Sequence, residues 1–321
     1  MKRFEPNLLL AVTTGFALVL VTLTVSVFGA GEPLRNLLLA VICSGGFVLL
    51  NPLLLRAMKR PPGSAMIHPD NPGTAAWATL FPMVVIVCAA IPVFWPGPDY
   101  GLLVIVAAVW FGVTGAGLAT CVGLKALGLA TTYVRDLLHV GAGIWIAGWL
   151  AWDHPTIPIV IACIAVVVVG LVPTIAERVP IAARLRDAVS GGDERWDGLV
   201  HYTASYAVLT AIGLTIAPFA AAAGLLALSL GDGIGGAVGR RFGRLRYRTM
   251  GKTKSLEGSL AVAVAASAGV ALAAGAFDHA IAVPAVLALG ALAAVAEGLA
   301  PRGTDNLLVP AAVATAAGLL T

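Results

Sequence analysis

Long apolar runs, punctuated by glycine, proline and charge, recur along this 321-residue chain from about residue 8 to its C-terminal end. A helix needs about 20 apolar residues to cross the hydrocarbon layer, and most of these runs reach or approach that length. Hydropathy and turn signals predict about eleven crossings, at roughly residues 8–28, 36–55, 75–95, 102–124, 137–152, 157–175, 201–217, 219–230, 257–275, 280–298 and 305–320. The eighth run has only about twelve residues, which predicts a short, broken or re-entrant helix buried in protein. Pro218 suits its first turn, having no N–H to leave unsatisfied. The predicted fold is all-α: a polytopic helical bundle integral to the membrane. Because hydrophobicity recurs to the end of the chain, the run after Lys2 and Arg3 reads as a retained first helix and not as a secretory peptide.

Composition agrees: 59% of residues are hydrophobic and 11% charged, outside the range of soluble domains. Cys43, Cys88, Cys121 and Cys163 stand singly within apolar runs, without CxxC spacing, and read as buried free thiols. Charge then orients the bundle. With the N-terminus in the cytoplasm, every one of the 20 Lys and Arg residues except Arg35 falls in or beside a cytoplasmic segment. Topology alone accounts for Arg56, Lys59, Arg60, Arg184 and Arg186. The same orientation brings Arg135, His139, Glu177, Arg178, Asp232, the basic stretch 240–254, Glu257 and the segment from Glu297 to Asn306 to one face. That face is expected to be the cytoplasmic side of a prokaryotic cell membrane, where nucleotides are available. Phe242 and Tyr247 are the only aromatics in the basic stretch, so the pattern does not point to a nucleic-acid partner.

Chemistry is concentrated in Leu230–Arg244 and Gly251–Ser259. Gly231, Gly233 and Gly239 can turn a chain and bring N–H groups to an anion, while Arg240, Arg241, Lys252 and Lys254 supply opposite charge. The plain alternative for glycines in a membrane protein is close helix packing. Gly231-x-Gly233-x-x-Gly236 meets a dinucleotide pattern but leaves a membrane helix, not a strand, and Arg246 occupies the first glycine position of a P-loop ending at Gly251-Lys252-Thr253. Asp232 at a helix end needs a cation, and Mg2+ shared with phosphate oxygens would meet that need. Ser255 can cap the next helix and Glu257 can favour its first turn, whereas Lys252 and Lys254 sit badly there unless an anion is present. Trp145, Trp149 and Trp152 read as packing and interface aromatics.

Four ordered signals together resemble a known family. Gly231-Asp232 with Gly239-Arg240-Arg241-Phe242-Gly243, followed by Lys252-Thr253-Lys254-Ser255-Leu256-Glu257-Gly258-Ser259-Leu260-Ala261, is similar to the signature of the CTP-dependent membrane lipid kinases: dolichol kinase, phytol kinase and CTP-using diacylglycerol kinase. Arg135-Asp136-Leu137-Leu138-His139-Val140-Gly141 resembles their Arg-Lys-x-x-His-x-x-Gly segment, with Asp136 in place of the basic residue and Ala142 at the glycine position, a glycine standing one position earlier or later. Asp305-Asn306-Leu307-Leu308-Val309-Pro310, with Glu297 upstream, resembles their C-terminal segment. The resemblance covers residues 130–321, read as a catalytic domain, and leaves the membrane helices of 1–129 outside it. It implies transfer of the terminal phosphoryl group of CTP to a membrane lipid alcohol, a polyprenol, dolichol or phytol-like isoprenoid. Asp232 is then the leading metal ligand, with Asp305 or Glu297 as a second acid. Arg240, Arg241, Lys252 and Lys254 would neutralise the triphosphate, His139 is the available base, and Asn306 can donate to a phosphate.

Four other functions compete. A CDP-lipid synthase of the phosphatidate cytidylyltransferase type should carry His-Gly-Gly and spaced aspartates, which are missing here. Among CDP-alcohol phosphotransferases the motif begins Asp-Gly, as in Asp232-Gly233, but Gly236-Ala237 breaks the register. A noncatalytic lipid-binding protein or a transporter would share the hydrophobicity, and a transporter should place its polar residues near the midplane.

Overall fold

The computed structural model describes residues 100–150, 155–176, 179–190, 196–250, 252–301 and 303–320. The crossings expected at 8–28, 36–55 and 75–95, with Cys43, Cys88, Arg56, Lys59, Arg60, Trp152, Glu177, Arg178 and Gly251, lie outside these residues. The described elements are α1 (Tyr100–Ala126), α2 (Thr131–Ala142), α3 (Ile144–Trp149), α4 (Thr156–Ala176), α5 (Pro180–Ser190), α6 (Asp197–Thr215), α7 (Pro218–Phe242), β1 (Arg246–Thr249), β2 (Lys252–Ser255), α8 (Leu256–Ala276), α9 (Val283–Leu299) and α10 (Asp305–Gly318). Among them three helical segments are long and apolar enough to cross a membrane: Ala108–Ala126, Pro218–Phe242 and Leu256–Ala276. Val283–Leu299 is a shorter apolar helix.

The eighth crossing departs from expectation. It is neither short nor broken, but a single helix of 25 residues that runs through the glycine-rich stretch to Phe242, with Pro218 in its first turn as expected. Each helical glycine costs about 1 kcal/mol relative to alanine. Here the cost is offset by close packing: methyl groups built on Gly231 and Gly239 would come within 3.4 Å of Val262 Cγ1 and 3.3 Å of Gly258 Cα on α8. Gly235, between them, has no room for a methyl group against Val262. The glycines are therefore a helix-crossing surface, and their N–H groups belong to the helix and not to an anion-cradling loop.

From Phe219 to Ser229 every residue of α7 is buried, which makes it the central helix. It packs against α8, α10, α2, α6 and, less extensively, α9. Gly224 admits α10, where a methyl group would stand 2.9 Å from Ala314 Cβ, and Gly269 on α8 lies similarly close to the backbone of Leu226 and Ala227. Trp149 fills the core beside Gly213 and Phe277, and Trp145 donates to Thr210 Oγ1 at 2.8 Å, the packing role expected of both. Cys121 and Cys163 are buried free thiols.

Two further details differ from expectation, and only the first departs from an all-α fold. The basic stretch 240–254 is not a loop: its second half folds as an antiparallel hairpin, Arg246 pairing with Ser255, Tyr247 with Lys254, Arg248 with Thr253 and Thr249 with Lys252. The crossing expected at 137–152 instead begins at Thr131 and is interrupted at Gly143, whose N–H bonds back to Val140 in a tighter turn.

Candidate active site

Two faces of α7 organise the polar end of the bundle. Gly231, Gly235 and Gly239, four residues apart, face α8; Asp232, Gly236 and Arg240, on the same spacing, meet α2. Gly233 permits the approach of α2, since a methyl group there would lie 2.9 Å from Asp136 O. Asp136 and His139, three residues apart on α2, are both buried and turned toward α7. Asp136 receives Arg240 in an ion pair, with the guanidinium also 5.0 Å from the centre of the Tyr133 ring. His139 Nδ1 lies 2.6 Å from Asp232 Oδ2. The histidine expected as the available base is thus paired with Asp232.

Below His139 lies a ladder of hydroxyls that pattern reading missed. The imidazole stacks on Tyr202 with ring centres 4.4 Å apart, and Tyr202 OH donates to the backbone oxygen of His139 at 3.0 Å. Ser229 and Tyr206 complete the network. Its signal in the sequence was the i, i+4 spacing of Tyr202 and Tyr206 on one helix.

The hairpin and α10 close the other side. Lys252 Nζ donates to Asp305 Oδ2 at 2.7 Å, and Lys254 pairs with Glu297 while donating to its backbone oxygen, also at 2.7 Å. The anions that make these lysines tolerable beside the start of α8 are thus the protein's own carboxylates. The pairs lie within one electrostatic neighbourhood: the charges of Arg135 and Lys254 reach Asp232, and those of Asp232 and Asp305 reach Glu297. Ser255 is an N-cap whose Oγ accepts from Gly258 N at 3.1 Å, and Glu257 accepts from Leu245 N at 3.1 Å, tying the hairpin to α8. Both therefore have structural duties. Arg241 is exposed at the end of α7, its guanidinium 6.0 Å from the Phe242 ring centre. Asn306 donates to Gly198 O at 2.7 Å, while its Oδ1 is buried and has no hydrogen-bond partner among the described residues, which marks an acceptor available to a ligand.

A phytol kinase from Synechocystis sp. is 34% identical to the chain over 206 residues, covering 61% of this chain and 83% of that protein. The chain belongs to the lipid kinase family that includes phytol kinase. No protein-family model and no solved structure matches it. Lipid kinases of the resembled kind imply Mg2+, and the donor set here suits that ion. Asp232 gives Oδ2 to His139 and Glu297 gives Oε1 to Lys254, so each carboxylate keeps a second hard oxygen. Among the described residues no three His, Cys, Asp or Glu side chains form a ready-made metal cage. Mg2+ needs none, since one or two carboxylates together with substrate phosphates commonly hold it.

Proposed function

We propose that this lipid kinase transfers the terminal phosphoryl group of CTP to the hydroxyl of a membrane isoprenoid alcohol of the phytol or polyprenol type. The observation that carries the reading is the His139–Asp232 pair, its histidine buried and its aspartate part-exposed, standing in the same electrostatic neighbourhood as Lys254, Glu297 and Asp305. With its Nδ1 proton donated to Asp232, the imidazole presents Nε2 as an acceptor. The lipid hydroxyl gives its proton to that nitrogen as its oxygen forms a bond to the terminal phosphorus. The bond from phosphorus to the diphosphate leaving group breaks, and the products are CDP and a lipid monophosphate. Asp232 orients the ring and stabilises the imidazolium that forms. Lys252 and Lys254 exchange their carboxylate partners for phosphate oxygens, and Asn306 Oδ1 accepts a ligand hydrogen bond. Asp232 with Glu297 or Asp305 would hold Mg2+, which supplies charge neutralisation on the phosphates.

CTP as donor rests on the family resemblance, and an isoprenoid as acceptor on that resemblance and on the likeness to the Synechocystis phytol kinase. The deciding experiment mixes purified protein in micelles with Mg2+, terminal-phosphate-labelled CTP or ATP, and separately phytol, a polyprenol and diacylglycerol. Label moving from CTP to phytol or polyprenol is the expected result. Label found only in pyrophosphate, with CMP joined to lipid, would reject the kinase reaction.

A further inference from the structure

The seven basic residues between Arg240 and Lys254 look like one cluster in the sequence, but strand alternation divides those of the hairpin into two groups. Tyr247, Thr249, Lys252 and Lys254 face the bundle, where Tyr247 bonds Ser259, Thr249 bonds Gly298 O and the lysines meet Asp305 and Glu297. Arg246 and Arg248 alternate with them on the outer face and are exposed. Neither makes an ion pair among the described residues. Arg244, also exposed, lies within reach of the charge of Glu257, which is already bonded to Leu245 N. Around these arginines Phe242, Leu245, Met250 and Leu256 are each more than half exposed.

Membrane geometry supplies the context. The hairpin is joined at both ends to helices long enough to cross the bilayer, α7 ending at Phe242 and α8 beginning at Leu256, so it must lie at the membrane surface. Apolar side chains interleaved with unpaired cations at that level match a layer of anionic headgroups over acyl chains. Orientation in the membrane explains why cations are on this side; it does not explain why the strand turns its arginines away from the site and its lysines toward it.

We propose that the outer face of the β1–β2 hairpin, through Arg246 and Arg248 with support from Arg244, binds anionic lipid headgroups of the surrounding bilayer, separately from the nucleotide. The test reads lipid retention and does not depend on turnover, so failure of the kinase reading leaves it interpretable. Full-length protein equilibrated with equal phosphatidylglycerol and phosphatidylcholine is washed, and its retained lipids are quantified by mass spectrometry. The wild type should retain phosphatidylglycerol preferentially. Arg246→Gln/Arg248→Gln should lower that preference by about five-fold for each arginine removed, and raised salt should shrink the difference. Arg246→Lys/Arg248→Lys should keep the preference, which controls for any change in hairpin folding. An unchanged preference in the Gln variant overturns the proposal. So does unchanged retention combined with a raised KM for CTP, which would assign the arginines to the nucleotide.

Discussion

A histidine and an aspartate 2.6 Å apart act as a unit, and their substitutions should reveal it. Asp232→Asn keeps the size of the side chain but removes the charge that faces the imidazole and would attract Mg2+ under the proposed mechanism. Phosphoryl transfer should fall by at least about 100-fold in protein that still inserts and folds. His139→Gln should cost a similar factor, and the double variant little more than either single one. Multiplicative losses measured in single-turnover assays would separate the two residues and leave Asp232 as a metal ligand alone. Lys252 and Lys254 are expected to act on a different parameter. Alanine at either should raise KM for the nucleotide roughly 10-fold, the worth of one charge-assisted bond, without altering the ranking of lipid acceptors. A shift in acceptor preference at unchanged nucleotide KM would place these lysines at the lipid.

Between α7 and α8 the decisive contact is glycine against a branched side chain. Gly235→Ala forces a methyl group into Val262, whose χ1 has little freedom to move, and overpacking of this kind costs about 1–3 kcal/mol. Thermal unfolding in detergent should show a lower midpoint for Gly235→Ala and partial recovery on adding Val262→Ala. No recovery would mean that the two helices do not meet there as described. This crossing also shows what the sequence could reveal. Apolar length marked α1, α4, α8 and α9, because burial in lipid or protein demands it whatever the neighbours are. The end of α7 was hidden, since glycine spells both a turn and a close helix crossing, and only the partner at Gly258 and Val262 decides between them. Likewise Lys252, Lys254, Glu297 and Asp305 were recognisable as candidates from family motifs. Their pairing was not, because it depends on a four-residue register in which each lysine alternates with an outward neighbour.

For the whole molecule, one span separates the hairpin from the loop after α8, where Asp278 adopts a left-handed backbone with φ of 48°. Single cysteines at Arg248 and Asp278 should therefore react with impermeant labels from opposite sides of the membrane. A cysteine at Arg186 on α5 should react from the same side as Arg248, following the distribution of basic residues. Reaction of the 186 and 248 sites from opposite sides would overturn the topology. The hydroxyl ladder under His139 adds a constraint on where protons can travel across this bundle. Ser229 donates to Leu225 O, Tyr202 reaches His139 O and Tyr206 OH, and Tyr206 shares a hydrogen bond with Ser229. The ladder ends on the peptide carbonyls of Leu225 and His139, which carry no proton to pass on, and this makes it a dead end for proton conduction. A proton taken up by the imidazole must return to water at the polar end of the bundle, and catalysis here would leave the membrane's proton gradient untouched.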